Sequence, residues 1–247
     1  MAIKEQQARV LAWEGCLNAR DLGGYRTRDG KETRWGAVVR SDTPSQLTAT
    51  GQAALLAYGI RSIVDLRKPD ELAQHPNPFA APGSHGITYT NISLVDPARS
   101  PAAEFTTLAN DYKGMLDRFQ STVGRIAIAI AEAPSGAVLI HCMAGKDRTG
   151  IICALLLALA GVPNDTIAAD YALTAECLRP FDEHWLENGP GERADRERDL
   201  VRASARADVM LEVLQYLHER HGGVEAYLLE AGVSAADIQR LRERLLE

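Results

Sequence analysis

Two residues of the chain, Cys142 and Arg148, have the types and the spacing needed for nucleophilic chemistry on an anion. Five residues separate them, and the segment over 141–150 reads His-Cys-Met-Ala-Gly-Lys-Asp-Arg-Thr-Gly. A loop of this kind directs backbone N–H groups and a guanidinium at one point, which suits a bound phosphate. A thiol held in the same positive field ionises readily and becomes a nucleophile. We call residues 142–148 the cradle loop.

The segments on either side of the cradle loop predict how it is positioned. An apolar run over 137–140 precedes it and a longer one over 151–160 follows it. This order predicts a strand, the loop and a helix whose positive end points at the loop. Apolar or alternating runs over 37–40, 60–66 and 86–92 predict three further strands, with helical patterns between them.

Strands that alternate with helices predict an α/β fold with a central, mostly parallel, twisted sheet of four to five strands flanked by helices. Ligands bind such sheets at the carboxyl ends of the strands, where the cradle loop is expected. Residues 1–36 read as a loop and hairpin segment, 37–162 as the α/β core, and 163–247 as an added helical third that could act as a lid. With no linker or repeat between them, we expect a single domain over 1–247.

Composition narrows the classes of function. The 247 residues are 46% hydrophobic and 24% charged, and the net charge of −6 argues against a nucleic-acid partner. The four cysteines are unclustered, which predicts neither a metal site nor a disulfide framework. The polar segment over 1–10 does not resemble a signal peptide, and the apolar run over 151–160 is too short to span a bilayer. A cytoplasmic location is therefore expected, where a catalytic thiol would stay reduced.

The cradle string is similar to the signature loop of cysteine-dependent protein tyrosine phosphatases. The full string His-Cys-x-Ala-Gly-Lys-Asp-Arg-Thr-Gly resembles a bacterial and fungal branch that includes secreted mycobacterial and listerial phosphatases acting on phosphotyrosine and phosphoinositides. Further segments match that branch in the same order and extend the resemblance over most of the chain: 18–25, 40–41, 64–67 and 232–234. The cradle string is specific, whereas the other segments would be weak alone.

The resemblance implies a role for each cradle residue. Cys142 would attack phosphorus and form a phosphocysteine, while Arg148 and the loop amides would bind the equatorial oxygens. His141 would orient the loop through its backbone. The rest of the phosphate-binding set would be Met143, Ala144, Gly145, Lys146 and Thr149. A buried cysteine is often only a small hydrophobe, which suits Cys153 better than Cys142. Lys146 reads equally well as a solvated lysine, and Thr149 as an ordinary first-turn residue.

The general acid is less clearly marked. Many phosphatases of this superfamily carry it on a Trp-Pro-Asp loop, and no such tripeptide occurs here. Asp147, inside the cradle loop, is favoured by analogy with the branch, and Asp96, after the third strand, is the alternative.

Upstream polar residues are expected to support the loop. Asn18, Arg20 and Asp21 would hold the N-terminal segment against the cradle loop, although a purely structural turn is an equal alternative. Asp65 and Arg67 read as a structural ion pair at a strand's carboxyl end.

These observations predict a phosphomonoester hydrolase without a metal or other cofactor, since amides and Arg148 supply the positive charge. Its expected substrate is a phosphotyrosine protein, with a dual-specificity or phosphoinositide phosphatase as the alternative. Two other classes stay open: a silent phosphate-binding module, and a thiol-based sulfurtransferase or arsenate reductase. Arsenate reduction would require a partner thiol from Cys16, Cys153 or Cys177.

Overall fold

The computed structural model describes residues 8–95 and 107–246, and within these ranges it has five strands and eleven α-helices. The strands are β1 (Arg20–Asp21), β2 (Val38–Ser41), β3 (Ile60–Asp65), β4 (Thr88–Asn91) and β5 (Ala137–His141). The first six helices are α1 (Ala49–Ala57), α2 (Pro69–Gln74), α3 (Leu108–Arg118), α4 (Gln120–Ala131), α5 (Asp147–Leu159) and α6 (Asn164–Cys177). The other five are α7 (Arg179–Asn188), α8 (Arg193–Ala203), α9 (Ala207–His221), α10 (Val224–Glu230) and α11 (Ala235–Leu246).

The five strands form one sheet in the order β1-β2-β5-β3-β4. Only β1 is antiparallel to its neighbour, so the predicted mostly parallel sheet is confirmed. The second predicted strand, β3, does not pair with β2, because β5 lies between them. The register sets Ser41, His141 and Asp65 side by side at the carboxyl end of the sheet. The cradle loop therefore leaves the middle of the edge where ligands bind in parallel sheets.

Both faces of the sheet are buried. Successive side chains of a strand point to opposite faces, and in β5 Val138 and Ile140 join one apolar core while Ala137 and Leu139 join the other. The larger core contains residues of α3–α6 and α9–α11, and the smaller contains Leu55 of α1. A parallel sheet covered on both faces explains why the core strands read as short apolar runs.

Side-chain caps and one break set the ends of several helices. Thr48 caps α1 by accepting a hydrogen bond from Gly51 N, and Ser234 caps α11 by accepting one from Asp237 N at 3.1 Å. The helical sequence pattern over 102–133 contains two helices where it is described. It breaks at Phe119, whose backbone angles (φ −111°, ψ 25°) are not helical, and gives α3 and α4.

The last third of the chain is helical, as predicted. Helices α6, α9, α10 and α11 contribute buried residues to the larger core. Helices α7 and α8 contribute none to either core, and we call these two helices the outer helix pair. That residues 1–247 form a single domain stays a prediction.

Candidate active site

The cradle loop connects β5 to α5, as the sequence predicts. Its turn depends on Gly145, which has a φ of +65°. A Cβ atom built there would lie 2.3 Å from the carbonyl oxygen of Ser41, so a side chain would collide with the end of β2. Arg40, also on β2, donates a hydrogen bond to the Gly145 carbonyl at 2.8 Å. The cradle loop therefore packs closely against the neighbouring strand β2 and is hydrogen-bonded to it.

Cys142 is 2% exposed and begins the loop directly after the central strand. Thr149, in the first turn of α5, is fully buried, and its hydroxyl has no hydrogen-bond partner among the described residues. A buried hydroxyl without a partner is costly, so such groups are commonly completed by a ligand or water. Both side chains lie at the carboxyl edge of the sheet.

Arg148 is held by Glu71 of α2, a residue that the sequence did not single out as functional. Its two terminal nitrogens donate to the two carboxylate oxygens of Glu71, each at 2.7 Å. Burial lowers the pKa of Arg148, but the hydrogen bonds that it donates to Glu71 and the charge of Cys142 outweigh burial and raise that pKa above its usual value. The bidentate pair fixes the plane of the guanidinium.

A second, local contact of Glu71 explains why its sequence position does not indicate a role at the site. Glu71 also accepts a hydrogen bond from the backbone N of Lys68 at 2.8 Å, closing the first turn of α2. The Pro-Asp-Glu sequence predicts a helix start, and that prediction is fulfilled. No local signal indicates that the same carboxylate reaches a residue 77 positions further along the chain.

His141 is fully buried, and its Nδ1 donates to the carbonyl oxygen of Cys142 at 3.0 Å. Its Nε2 lies 3.2 Å from a carboxylate oxygen of Asp65. Asp65 also pairs with Arg67 at 2.7 Å, the predicted ion pair. Burial raises the pKa of Asp65, but His141 and Arg67 outweigh it and hold that pKa well below its usual range. The ring is thus fixed from both sides and holds the start of the loop through its backbone.

The N-terminal segment reaches the cradle loop through Asn18. Its side-chain amide donates to the carbonyl oxygen of Ala144 at 2.9 Å, and its oxygen accepts from Arg20 at 2.5 Å. Asp21 is placed elsewhere: its carboxylate accepts from the backbone N of Gly23 and Gly36 and from the Tyr58 hydroxyl. Asn18 thus contacts the loop and Arg20 contacts Asn18, whereas the described contacts of the Asp21 carboxylate do not reach the loop. A supporting role for the three residues stays a prediction.

Asp170 of α6 is a second residue that no sequence motif marks as functional. It is buried and forms ion pairs with Arg20 at 2.9 Å and with Arg40 at 2.6 Å. Burial raises the pKa of Asp170, and the two arginines outweigh it, leaving that pKa well below its usual range. Since Arg20 also holds Asn18 and Arg40 holds Gly145, one carboxylate anchors two supports of the loop.

Other loop residues are tied to elements around the site. The carbonyl oxygen of Met143 accepts from the backbone N of Thr43 at 2.8 Å. The Lys146 ammonium donates to the carbonyl oxygen of Ala203, at the end of α8, at 2.7 Å, and lies 3.6 Å from Asp147. Lys146 therefore links the cradle loop to the outer helix pair.

Asp147 is the first residue of α5, and its side chain is 37% exposed. Its Oδ1 accepts a hydrogen bond from the Tyr112 hydroxyl at 2.5 Å. The alternative acid, Asp96, lies outside the described residues. The structure thus places Asp147 beside Arg148 on the same helix turn, with a buried tyrosine against one of its oxygens.

A groove of about 370 Å³ lies between the cradle loop and the outer helix pair. Most of its wall is apolar, and Phe181, which contributes to it, is 56% exposed. The side chains lining it include Ala144, Lys146, Leu178, Phe181, Trp185 and Leu200. Such a groove suits an apolar group attached to an anion, because the wall accepts the apolar group beside the cationic loop.

The remaining cysteines are free thiols. Burial, together with the Asp42 carboxylate that accepts its hydrogen bond at 2.6 Å, raises the pKa of Cys16. Burial also raises the pKa of Cys153 to about 12. The described residues contain no group of three or more His, Cys, Asp or Glu side chains arranged to hold a metal ion. None of the helices in the described ranges has the length and apolarity that crossing a membrane requires.

The chain is similar in sequence to known phosphatases. A tyrosine-protein phosphatase of Nostoc commune is 38% identical over 85% of this chain and 74% of its own length. The triple specificity protein phosphatase PtpB of Mycobacterium tuberculosis is 27% identical over 94% of this chain and 97% of its own. Among solved structures, P. aeruginosa TpbA in complex with pTyr is 18% identical, covering 72% of this chain and 84% of its own, with a TM-score of 0.32. The sequence profile of the tyrosine phosphatase family matches residues 11–247. Since that match includes the cradle loop and every strand around it, the chain belongs to the tyrosine phosphatase family and is a cysteine-dependent phosphatase of this type.

Proposed function

We propose that the enzyme hydrolyses phosphomonoesters of tyrosine in proteins through a phosphocysteine on Cys142. The observation that carries the proposal is the cradle loop at the end of the central strand, with Arg148 fixed across it by Glu71. A phosphorylated substrate is the partner that such a loop binds. The apolar groove beside the loop supports an aromatic leaving group as the preferred one.

In the first step the Cys142 sulfur attacks phosphorus in line. A sulfur–phosphorus bond forms as the bond from phosphorus to the substrate oxygen breaks, and Asp147 gives its proton to that oxygen. The amides of Met143, Ala144, Gly145 and Lys146, together with Arg148, stabilise the charge on the three equatorial oxygens.

In the second step water attacks the phosphocysteine. The Asp147 carboxylate takes a proton from that water, and the thiolate departs with phosphate as the other product. The partnerless hydroxyl of Thr149 supports a role for it as a donor to the departing sulfur. Asp147 is the proposed acid because it lies within the cradle loop, next to Arg148, and its carboxylate is held by the Tyr112 hydroxyl.

The four free cysteines support a reducing location such as the cytoplasm. A phosphoinositide or phosphoserine/threonine substrate is the alternative, and the ammonium of Lys146 favours the phosphoinositide because it adds positive charge next to the loop. Comparing kcat/KM for phosphotyrosine, phosphoserine and phosphoinositide substrates decides between them.

The test of the mechanism is a rapid-mixing measurement with p-nitrophenyl phosphate. We expect a burst of p-nitrophenol that vanadate suppresses and that Cys142→Ser abolishes, with turnover lower by about 10⁴-fold or more. The matched control is Cys177→Ser, a half-buried thiol outside the cradle loop, which is expected to keep the burst. Phosphopeptide binding without turnover in the native enzyme would overturn the proposal, and so would turnover that requires Cys16, Cys153 or Cys177.

A further inference from the structure

The buried Tyr112 contacts the proposed general acid but has no part in the two steps described above. It lies on α3, is 1% exposed, and its hydroxyl reaches Oδ1 of Asp147 at 2.5 Å. Both contacts described for the Asp147 carboxylate, to Tyr112 and to Lys146, fall on this oxygen. Oδ2 is therefore the oxygen available to a substrate.

A second tyrosine completes the arrangement. The hydroxyl of Tyr171, on α6, lies 2.7 Å from that of Tyr112, and either can donate to the other. The two rings meet edge to face, with centroids 6.1 Å apart and an interplanar angle of 88°. Oδ1 can accept the Tyr112 hydrogen bond both in the carboxylate and in the acid protonated on Oδ2, and the Tyr171 hydroxyl can donate to Tyr112 in either case. The contact of Tyr112 with Asp147 is thus compatible with both protonation states.

We propose that Tyr112 is the positioning residue of the general acid, fixing Asp147 through Oδ1 so that Oδ2 faces the leaving oxygen. This inference rests on the proposed role of Asp147. During the first step the proton on Oδ2 passes to the substrate oxygen, while Oδ1 continues to accept the hydrogen bond of the tyrosine hydroxyl. During the second step a proton from the attacking water returns to Oδ2. A carboxylate whose rotation is blocked is already in the productive orientation, so no entropy is lost in orienting it during the reaction.

The surroundings of Asp147 make Tyr112 the principal fixed partner. Asp111 faces it from α3, Lys146 and Arg148 flank it in the chain, and Tyr171 faces it from α6. Two further arginines lie within electrostatic range of these neighbours, Arg202 of Asp111 and Arg206 of Tyr171. Burial and the charge of Asp147 raise the pKa of Tyr112 well above its usual value, so it remains a neutral hydroxyl throughout the working range.

The test compares Tyr112→Phe with the native enzyme on aryl phosphates whose phenols differ in acidity. General acid catalysis matters most for poor leaving groups, so we expect kcat/KM to fall about tenfold for phenyl phosphate and less than about threefold for p-nitrophenyl phosphate. Tyr171→Phe, which keeps the direct bond, is expected to change the leaving-group dependence less.

The matched control is Tyr227→Phe. Tyr227 also places a buried hydroxyl against the helix α3, donating to the Leu116 carbonyl at 2.8 Å, without touching the cradle loop. Both variants are expected to lose some folding stability, because each loses a buried hydroxyl. Only Tyr112→Phe is expected to change the dependence of kcat/KM on the leaving group.

Asp147→Asn separates this inference from the role on which it rests. If Asp147→Asn leaves the leaving-group dependence unchanged, the assignment of the acid is wrong and Tyr112 has no acid to position. If Asp147→Asn steepens that dependence but Tyr112→Phe behaves like Tyr227→Phe, the acid stands and the role of Tyr112 is wrong. In the double variant that combines Asp147→Asn with Tyr112→Phe, the second change is expected to add no further leaving-group effect. If Tyr112→Phe lowers kcat/KM as much in Asp147→Asn as in the native enzyme, Tyr112 acts through another group.

Discussion

At the scale of single residues, the side chains of the site are oriented by contacts with charged partners. Arg148 does not hang free over the loop, because Glu71 binds both ends of its guanidinium. His141 is likewise held between Asp65 and the Cys142 carbonyl. Each of these groups has its orientation set before a substrate arrives, and such preorganisation is the main source of electrostatic catalysis.

The Glu71–Arg148 pair gives a direct prediction. In Glu71→Gln the guanidinium loses one of its two charge-assisted bonds and the charge that orients it, so we expect kcat/KM to fall about tenfold, equivalent to about 1.4 kcal/mol. Steady-state kinetics with p-nitrophenyl phosphate measures it. Asp70→Asn is the control on the same helix turn, since Asp70 pairs with Lys68 at the surface. A Glu71→Gln variant as active as Asp70→Asn would contradict the positioning role.

At the scale of elements, the outer helix pair differs from the rest of the molecule. Its only buried residue is Arg196 of α8. The Arg196 guanidinium donates to the carbonyl oxygens of Leu186, Gly189 and Gly191, the last turn of α7 and the connection that follows. One cation thus satisfies the free carbonyls at the end of a helix and joins the two helices.

Removing that cation is expected to loosen the pair without unfolding the core. In Arg196→Ala we expect Glu-C protease, cutting after Glu187 and Glu192, to cleave about tenfold faster, because local opening exposes the connection. The thermal melting midpoint of the whole protein should change little. Arg198→Ala is the control, since Arg198 lies on the same helix and pairs with Asp195 at the surface. Equal cleavage rates for the two variants would argue against Arg196 as the joint.

At the scale of the whole molecule, Asp170 ties the helical third to the edge of the sheet. It binds Arg20 of β1 and Arg40 of β2, and it also accepts from the Tyr25 hydroxyl at 2.9 Å. These contacts join segments about 130 to 150 residues apart in the chain. A buried carboxylate between two buried arginines is strongly destabilising to remove, because it leaves positive charge without compensation.

Asp170→Asn is therefore expected to lower the free energy of unfolding by about 3 to 5 kcal/mol. The pKa of Asp170 lies below its unfolded value of 3.8, so its contribution is complete above that pH and is lost as pH falls through the lower folded value. The variant should accordingly show a flatter fall of stability below about pH 4 in urea titrations. Asp208→Asn, which removes an exposed partner of Arg206, is expected to change the pH dependence much less, because solvent screens that pair.

Much of the fold follows from the sequence because the signals are local. Strands β2, β3, β4 and β5 each begin and end within two residues of the predicted runs. Strands β2, β3 and β5 are almost wholly buried and require mostly apolar side chains, whereas the edge strand β4 is indicated by alternation. The short strand β1 has the polar sequence Arg-Asp and exists only because it pairs with β2. Its position depends on a tertiary contact that no periodicity records.

The candidate site divides in the same way. Cys142, Arg148 and Asp147 lie within seven consecutive residues, so their proximity could be predicted. Glu71, Tyr112 and Asp170 come from three helices and meet the loop or its supports only after the chain has folded. Each also has an ordinary place in its own helix, which hides its second partner. The catalytic roles of all these residues stay predictions until the variants are measured.

The position of β5 has a consequence for how the protein is made. Strands β2 and β3 leave the ribosome long before residues 137–141, yet neither pairs with the other, since the strand that joins them comes last. Until it arrives, two apolar strands have unpaired edges that face each other, a state prone to association between chains. The nucleophile follows directly on that last strand. Synthesis therefore delivers the reactive cysteine with the segment that closes the sheet, and an interrupted chain that lacks this segment has open edges and no thiol at the site.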